Sequence, residues 1–163
     1  MFAWLTTTLA GKSLSTLLMA MLPVIELRGS IPFGVAHGLP EWWVFILSVI
    51  GNMLPVPFIL LFIRKILHWM KRFPRLGKIA TKLEARAEKR SGRVQKSEIV
   101  GLLILVALPL PGTGAWTGAL VAALMDLRLK RAIPTIFAGV LIAGCVVTLV
   151  VTLGIDALKF LVG

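Results

Sequence analysis

The chain has 163 residues, 58% of them apolar, and its 18 Lys and Arg against 7 Asp and Glu give a formal net charge of +11. Only 15% of its residues are charged, against about 25% in a soluble domain, and the mean hydropathy is +0.93. Too few polar groups exist to cover a globular surface, which excludes a soluble enzyme, a secreted disulfide scaffold and a disordered chain. Cys145 is the only cysteine, so one chain holds neither a disulfide nor a cysteine metal site. The class is integral membrane.

In chain order, Ser13 to Ile25 is a short apolar run broken at Leu22-Pro23. Apolar character resumes from Gly29 to Pro40, after Glu26 and Arg28. Trp42 to Ile63 then gives 22 uncharged residues, more than the roughly 20 that cross about 30 Å of hydrocarbon. Twelve of the basic residues lie between Arg64 and Glu98, with only Glu84, Glu88 and Glu98 as acids, so this stretch alone carries +9. Within it, Arg75 to Glu98 reads as an amphipathic helix with Leu76, Ile79, Ala80, Leu83 and Ala87 on one face. Ile99 to Met125 is uncharged over 27 residues but broken by Leu108-Pro109-Leu110-Pro111-Gly112. Ala132 to Ile155 is a second clear span, of 24 residues. Proline removes a helical hydrogen bond and clashes with the preceding turn, so neither broken segment is one straight helix.

Charge chooses between two topologies. If all four segments crossed, Arg128-Leu129-Lys130-Arg131 would face away from the Arg64–Glu98 loop, against the positive-inside tendency. If each broken segment enters and leaves on the same face, both basic stretches are cytoplasmic. Leu17–Pro23 can be set beside Leu103–Pro109, each followed by a Gly-rich tip, a second apolar arm, a polar link and a span. The expected fold is therefore an all-α membrane protein of two inverted-topology repeats. Each repeat is a re-entrant broken-helix hairpin followed by a transmembrane helix. A single membrane domain is expected over 1–163, with repeat one at about 13–65, a basic cytoplasmic linker helix at about 66–98 and repeat two at about 99–163. The basic segment 64–98 is expected to lie on anionic lipid headgroups. No aromatic follows Phe73 within it, which argues against nucleic acid.

The tips carry the chemistry. Glu26 and Arg28 are the only charges between Lys12 and Glu41, and ionisable residues at membrane depth are functional candidates by default. Ser30 is the expected N-cap of the first returning arm, with Pro32 in its first turn; Thr113 is the expected cap of the second. Both arms would then aim unsatisfied N–H groups and positive dipole ends at an anion near the midplane, with Arg28 as counter-ion. Glu26 would orient Arg28, or act as a proton-coupling group; the alternative for the pair is a structural salt bridge. The substrate-binding set is thus Glu26, Arg28, Gly29, Ser30 and Pro32 with Pro111, Gly112, Thr113, Gly114 and Trp116. Asn52, inside the first span, is a cavity-lining candidate, although a helix–helix hydrogen bond explains it equally well. Asp126 and Arg128 read as a solvated pair or a gate. No metal ligand set and no resident cofactor are expected; coupling to a proton or ion is.

The stretches Glu26-Leu27-Arg28-Gly29-Ser30-Ile31-Pro32-Phe33-Gly34 and Leu108-Pro109-Leu110-Pro111-Gly112-Thr113-Gly114-Ala115-Trp116-Thr117-Gly118 together resemble the family of small multi-drug export proteins. The hairpin-then-span layout is similar, more distantly, to the DedA superfamily of SNARE-associated (VTT) membrane proteins, which has opposed re-entrant loops. Some DedA members are implicated in moving undecaprenyl phosphate with membrane acidic and arginine residues, and that resemblance makes Glu26 and Arg28 the functional pair. This chain is shorter than a typical DedA protein and its second tip has no charge. The leading expectation is a secondary transporter or lipid flippase, not an enzyme, for a substrate with an anionic headgroup such as a polyprenyl phosphate. The alternatives are proton-coupled efflux of amphipathic drugs and a non-transporting membrane scaffold. A homodimer in the inner membrane of a prokaryote is expected.

Overall fold

A computed structural model describes residues 4–70, 81, 95–110, 113–125 and 127–162. The described residues form eight helices and no strand: α1 Trp4–Thr7, α2 Leu9–Met21, α3 Glu26–Ala36, α4 Glu41–Met53, α5 Pro55–Met70, α6 Gln95–Ala107, α7 Ala115–Leu124 and α8 Leu129–Val162. The expected basic helix falls almost entirely outside the described residues, as do Pro111, Gly112 and Asp126.

Two stretches are long and apolar enough to cross a bilayer, Glu41–Ile63 and Leu129–Gly154. Only 39% and 33% of their most apolar windows are buried within the protein, far less than a soluble core helix requires. Along α4 the exposed residues Trp42, Ile46, Ile50 and Leu54 recur every fourth position, an outward apolar stripe suited to lipid. The first stretch, expected as an uninterrupted span, is instead two helices, α4 and α5. Helical bonding lapses at Leu54, because Pro55 cannot donate to the Gly51 carbonyl and Pro57 cannot donate to that of Met53. The second starts earlier than expected, at Leu129, and continues through Pro134.

The remaining apolar helices are short. At 1.5 Å per residue, the 13 residues of α2 span about 20 Å and the 10 of α7 about 15 Å, both less than the hydrocarbon thickness. α2 begins before the apolar run, at Leu9, because Thr8 caps it: its Oγ1 accepts from Gly11 N at 3.1 Å.

The chain divides into two compact units, residues 1–54 with 140–163, and residues 55–139. In the first, α2, α3 and α4 pack mutually. Gly51 of α4 lies so close to α2 that an added Cβ would meet the Leu17 carbonyl oxygen at 2.5 Å and Ala20 Cβ at 2.8 Å. In the second, α7 packs on α5 and α6. Here Gly139 plays a matching part, since a Cβ there would meet Val106 Cβ at 2.7 Å and the Leu103 carbonyl at 3.2 Å. Leu17 and Ala20 are the residues that align with Leu103 and Val106 by sequence. The glycine is the eleventh residue of its span in both cases.

Candidate functional site

The first hairpin turns because Pro23 forces Leu22 out of the helical region, to φ −77° and ψ 134°, which ends α2. Glu26 N donates to the Leu22 carbonyl at 3.0 Å and closes the turn. Glu26 itself has φ +49°, a left-handed conformation that costs a side-chain-bearing residue about 1–2 kcal/mol. Only 4% of Glu26 is exposed, whereas Val24 at the apex of the turn is 91% exposed. The chain therefore accepts a strained backbone at its one acidic residue in the hairpin and buries that residue.

This geometry corrects the expected cap. α3 starts at Glu26 with Ile25 as its N-cap residue, so Ser30 lies a full turn inside the helix and Pro32 in its interior. The cap rule failed because the turn is closed by backbone bonds and a left-handed residue, with no side-chain cap at Ile25. Ser30 is instead fully buried and donates to Ser48 Oγ of α4 at 2.7 Å. Arg28, Gly29 and Pro32 are half-buried on other faces of the same helix.

α3 and α4 run antiparallel, and their contacts fix a register. Gly34 meets Val44, where an added Cβ would approach the valine methyls at 2.7 and 2.8 Å. One turn along, Ser30 meets Ser48. Continued by four residues on each helix, that register would bring Glu26 toward the level of Asn52. Asn52 is fully buried, and neither its Nδ2 nor its Oδ1 has a hydrogen-bond partner. Among the described residues, the buried polar or charged ones are Thr16, Glu26, Ser30, Ser48 and Asn52, all in α2, α3 and α4. At the far end of the seam, Thr16 donates to the Lys12 carbonyl at 2.8 Å and Lys12 Nζ to the His37 carbonyl at 2.7 Å.

The second tip is built differently. Gly114, at φ +135°, is the N-cap residue of α7 and makes no side-chain cap, so Thr113 does not cap this arm as expected. A side-chain-bearing residue rarely adopts that conformation, which explains glycine there. Thr113 Oγ1 accepts from Leu110 N at 3.2 Å and lies 2.7 and 2.8 Å from the Leu108 and Leu110 carbonyls, tying the loop to itself. Trp116 is half-buried on α7, and Arg128 is exposed. The buried face of α7 consists of Ala115, Gly118, Ala119, Ala122 and Ala123.

A family model described as "Putative small multi-drug export protein" matches residues 26–146, from the strained Glu26 through most of the second span. The chain belongs to that family. The matched region begins just after the turn at residues 23–25 and takes in α3, the polar residues of α4 and the second tip. Neither the curated proteins nor the solved structures contain a match to this chain.

A second feature of the first unit is a groove of about 390 Å³ lined by Glu41, Trp42, Phe45, Cys145, Thr148, Leu149 and Thr152. Cys145 is exposed and Thr148 Oγ1 is buried without a partner. Sequence reasoning missed this groove because it depends on α8 lying against α4, with Gly144 against the Phe45 ring.

Proposed function

We propose that the protein is a secondary transporter or lipid flippase of the inner membrane of a prokaryote, moving a substrate with an anionic headgroup, most specifically a polyprenyl phosphate. The observation that carries this reading is the first hairpin: a buried, strained Glu26 two residues from the cationic Arg28, at the N-terminus of α3. Holding a left-handed acidic residue out of water costs stability, and such costs persist where function uses them. Arg28 and the positive end of α3 would receive the headgroup, with Gly29, Ser30 and Pro32 shaping the approach. The Gly114 turn and Trp116, together with Pro111, Gly112 and Thr113, would contribute from the second hairpin.

The short arms of both hairpins and the matched Gly51 and Gly139 contacts support a repeat of two re-entrant hairpins, each followed by a span. In this reading the 64–98 segment is cytoplasmic and rests on anionic headgroups, Asp126 and Arg128 gate the second hairpin, and a homodimer shields the tips. The alternative is export of amphipathic drugs, as the family's description says. The groove at Glu41, Trp42 and Phe45 favours it, since a carboxylate beside aromatic rings suits an organic cation. Reconstitution into liposomes separates the two, with labelled polyprenyl phosphate scored beside a cationic dye. Lipid movement that Glu26→Gln and Arg28→Ala abolish is expected; dye movement with no lipid movement would overturn the lead, and inactivity of every sample would favour a scaffold.

A further inference from the structure

We infer that the seam between α3 and α4 holds a binding site for one small monovalent cation, built from the Glu26 carboxylate, the Asn52 side-chain oxygen and the Gly51 carbonyl. The inference deepens the transporter reading by naming its coupling ion, and rests on it only for what the ion drives.

Three observations converge. Asn52 is fully buried with both amide atoms unpartnered, and burying an amide without hydrogen bonds costs roughly 1–3 kcal/mol, so a native seam keeps such a group where something occupies it. The antiparallel register that pairs Gly34 with Val44 and Ser30 with Ser48 would, one turn further, bring Glu26 to the same level. Residue 55 is proline, so the Gly51 carbonyl, one residue from Asn52, loses its helical donor at the break in the first span.

The positive end of α3 lies at this level too, so the case for a cation rests on the oxygens and on the helix end that faces them. The last turn of α2 lies against Gly51, which brings the negative end of that helix to this level. The donors are all oxygens, the set that hard cations prefer, and broken helices with freed carbonyls are a recurrent way of holding sodium in transporters. With a single carboxylate and Arg28 close by in the chain, a monovalent ion adds the least positive charge to the seam. Ser30 and Ser48, one turn away and bonded to each other at 2.7 Å, close the site on that side.

The test uses the full chain in detergent, with ²²Na⁺ as the probe and no transport step, so failure here and failure of lipid movement in liposomes are distinguishable. Saturable binding of about one sodium per chain is expected, displaced by NaCl but not by choline chloride. Asn52→Leu and Glu26→Gln should each weaken it at least tenfold, and Thr135→Val, on an exposed part of α8, should leave it unchanged. Absence of saturable binding to the unsubstituted chain would overturn the inference, as would equal displacement by choline or undiminished binding in both site variants. The unsubstituted chain also decides alone if a variant does not fold: replacing choline with sodium at constant ionic strength should raise its unfolding midpoint by about 5 °C. No rise would count against the site.

Discussion

The two hairpins share a skeleton and differ in what they bury. Each has a proline-broken helix pair, followed by a helix whose eleventh residue is a glycine pressed against a backbone carbonyl of the first arm. The seam of the first hairpin carries Thr16, Glu26, Ser30, Ser48 and Asn52, whereas the buried face of α7 in the second is alanine and glycine. Close packing by small residues is the ordinary way to join helices in lipid, where no hydrophobic force draws them together. A polar seam with an unpaired amide is a costlier solution to the same packing problem. The contrast teaches that the two hairpins solve one packing problem differently, the first with polar groups in its seam and the second with small residues.

The largest effect should come at the shared glycines, and it should be unequal. Gly51→Ala would press a methyl onto a backbone carbonyl that cannot move aside, and we expect a loss of about 3 kcal/mol or no folded protein. Gly139→Ala meets the Cβ of the buried Val106 at 2.7 Å rather than a carbonyl at that range, and should cost about 2 kcal/mol. Denaturation midpoints of the purified variants check the order; a negligible loss at either glycine would weaken the matched-skeleton comparison.

Next in size is the serine pair. Ser30→Ala leaves Ser48 buried without its partner and should cost about 1–2 kcal/mol, while adding Ser48→Ala should restore part of that loss. A double-mutant cycle reads this directly. In the opposite seam, Ala119→Ser should also destabilise, since it places a hydroxyl among apolar neighbours. Smallest is Thr8→Ala, which removes the cap of α2 and should cost about 1 kcal/mol in thermal midpoint measurements.

Much of this contrast could be read from the sequence and some of it could not. Pro23 and Pro109 mark both breaks, because proline acts locally. Glu26 and Arg28 stand out for the same reason, as lone charges in an apolar stretch. Ser30 misled as a cap because the turn before it is closed by Leu22, Ile25 and a left-handed Glu26, a backbone solution with no side-chain signature. Its bond to Ser48 depends on the antiparallel register of two helices, which a single sequence does not print. Asn52 could be singled out, but its lack of partners emerges only once α3 and α4 are packed. The break at Leu54 escapes a reading by length and charge alone, although Pro55 and Pro57, which cause it, stand in the sequence.

A topological measurement bears on the same comparison. With Cys145 replaced, single cysteines near Gly38 and near Lys130 should label from opposite sides of the membrane, the former from outside intact cells. Outside labelling near Lys130 would overturn the re-entrant arrangement.

The central claim, that the charged first tip contributes more to headgroup movement than the uncharged second, is tested most directly by one paired rate measurement. Arg28→Ala and Thr113→Val are reconstituted at matched amounts of folded protein, and the initial rate of polyprenyl phosphate movement is followed for each. The account predicts at least a hundredfold loss for Arg28→Ala and a change within about threefold for Thr113→Val, an ordering set by a counter-ion against a loop tie. Equal losses, or a larger loss for Thr113→Val, would contradict it.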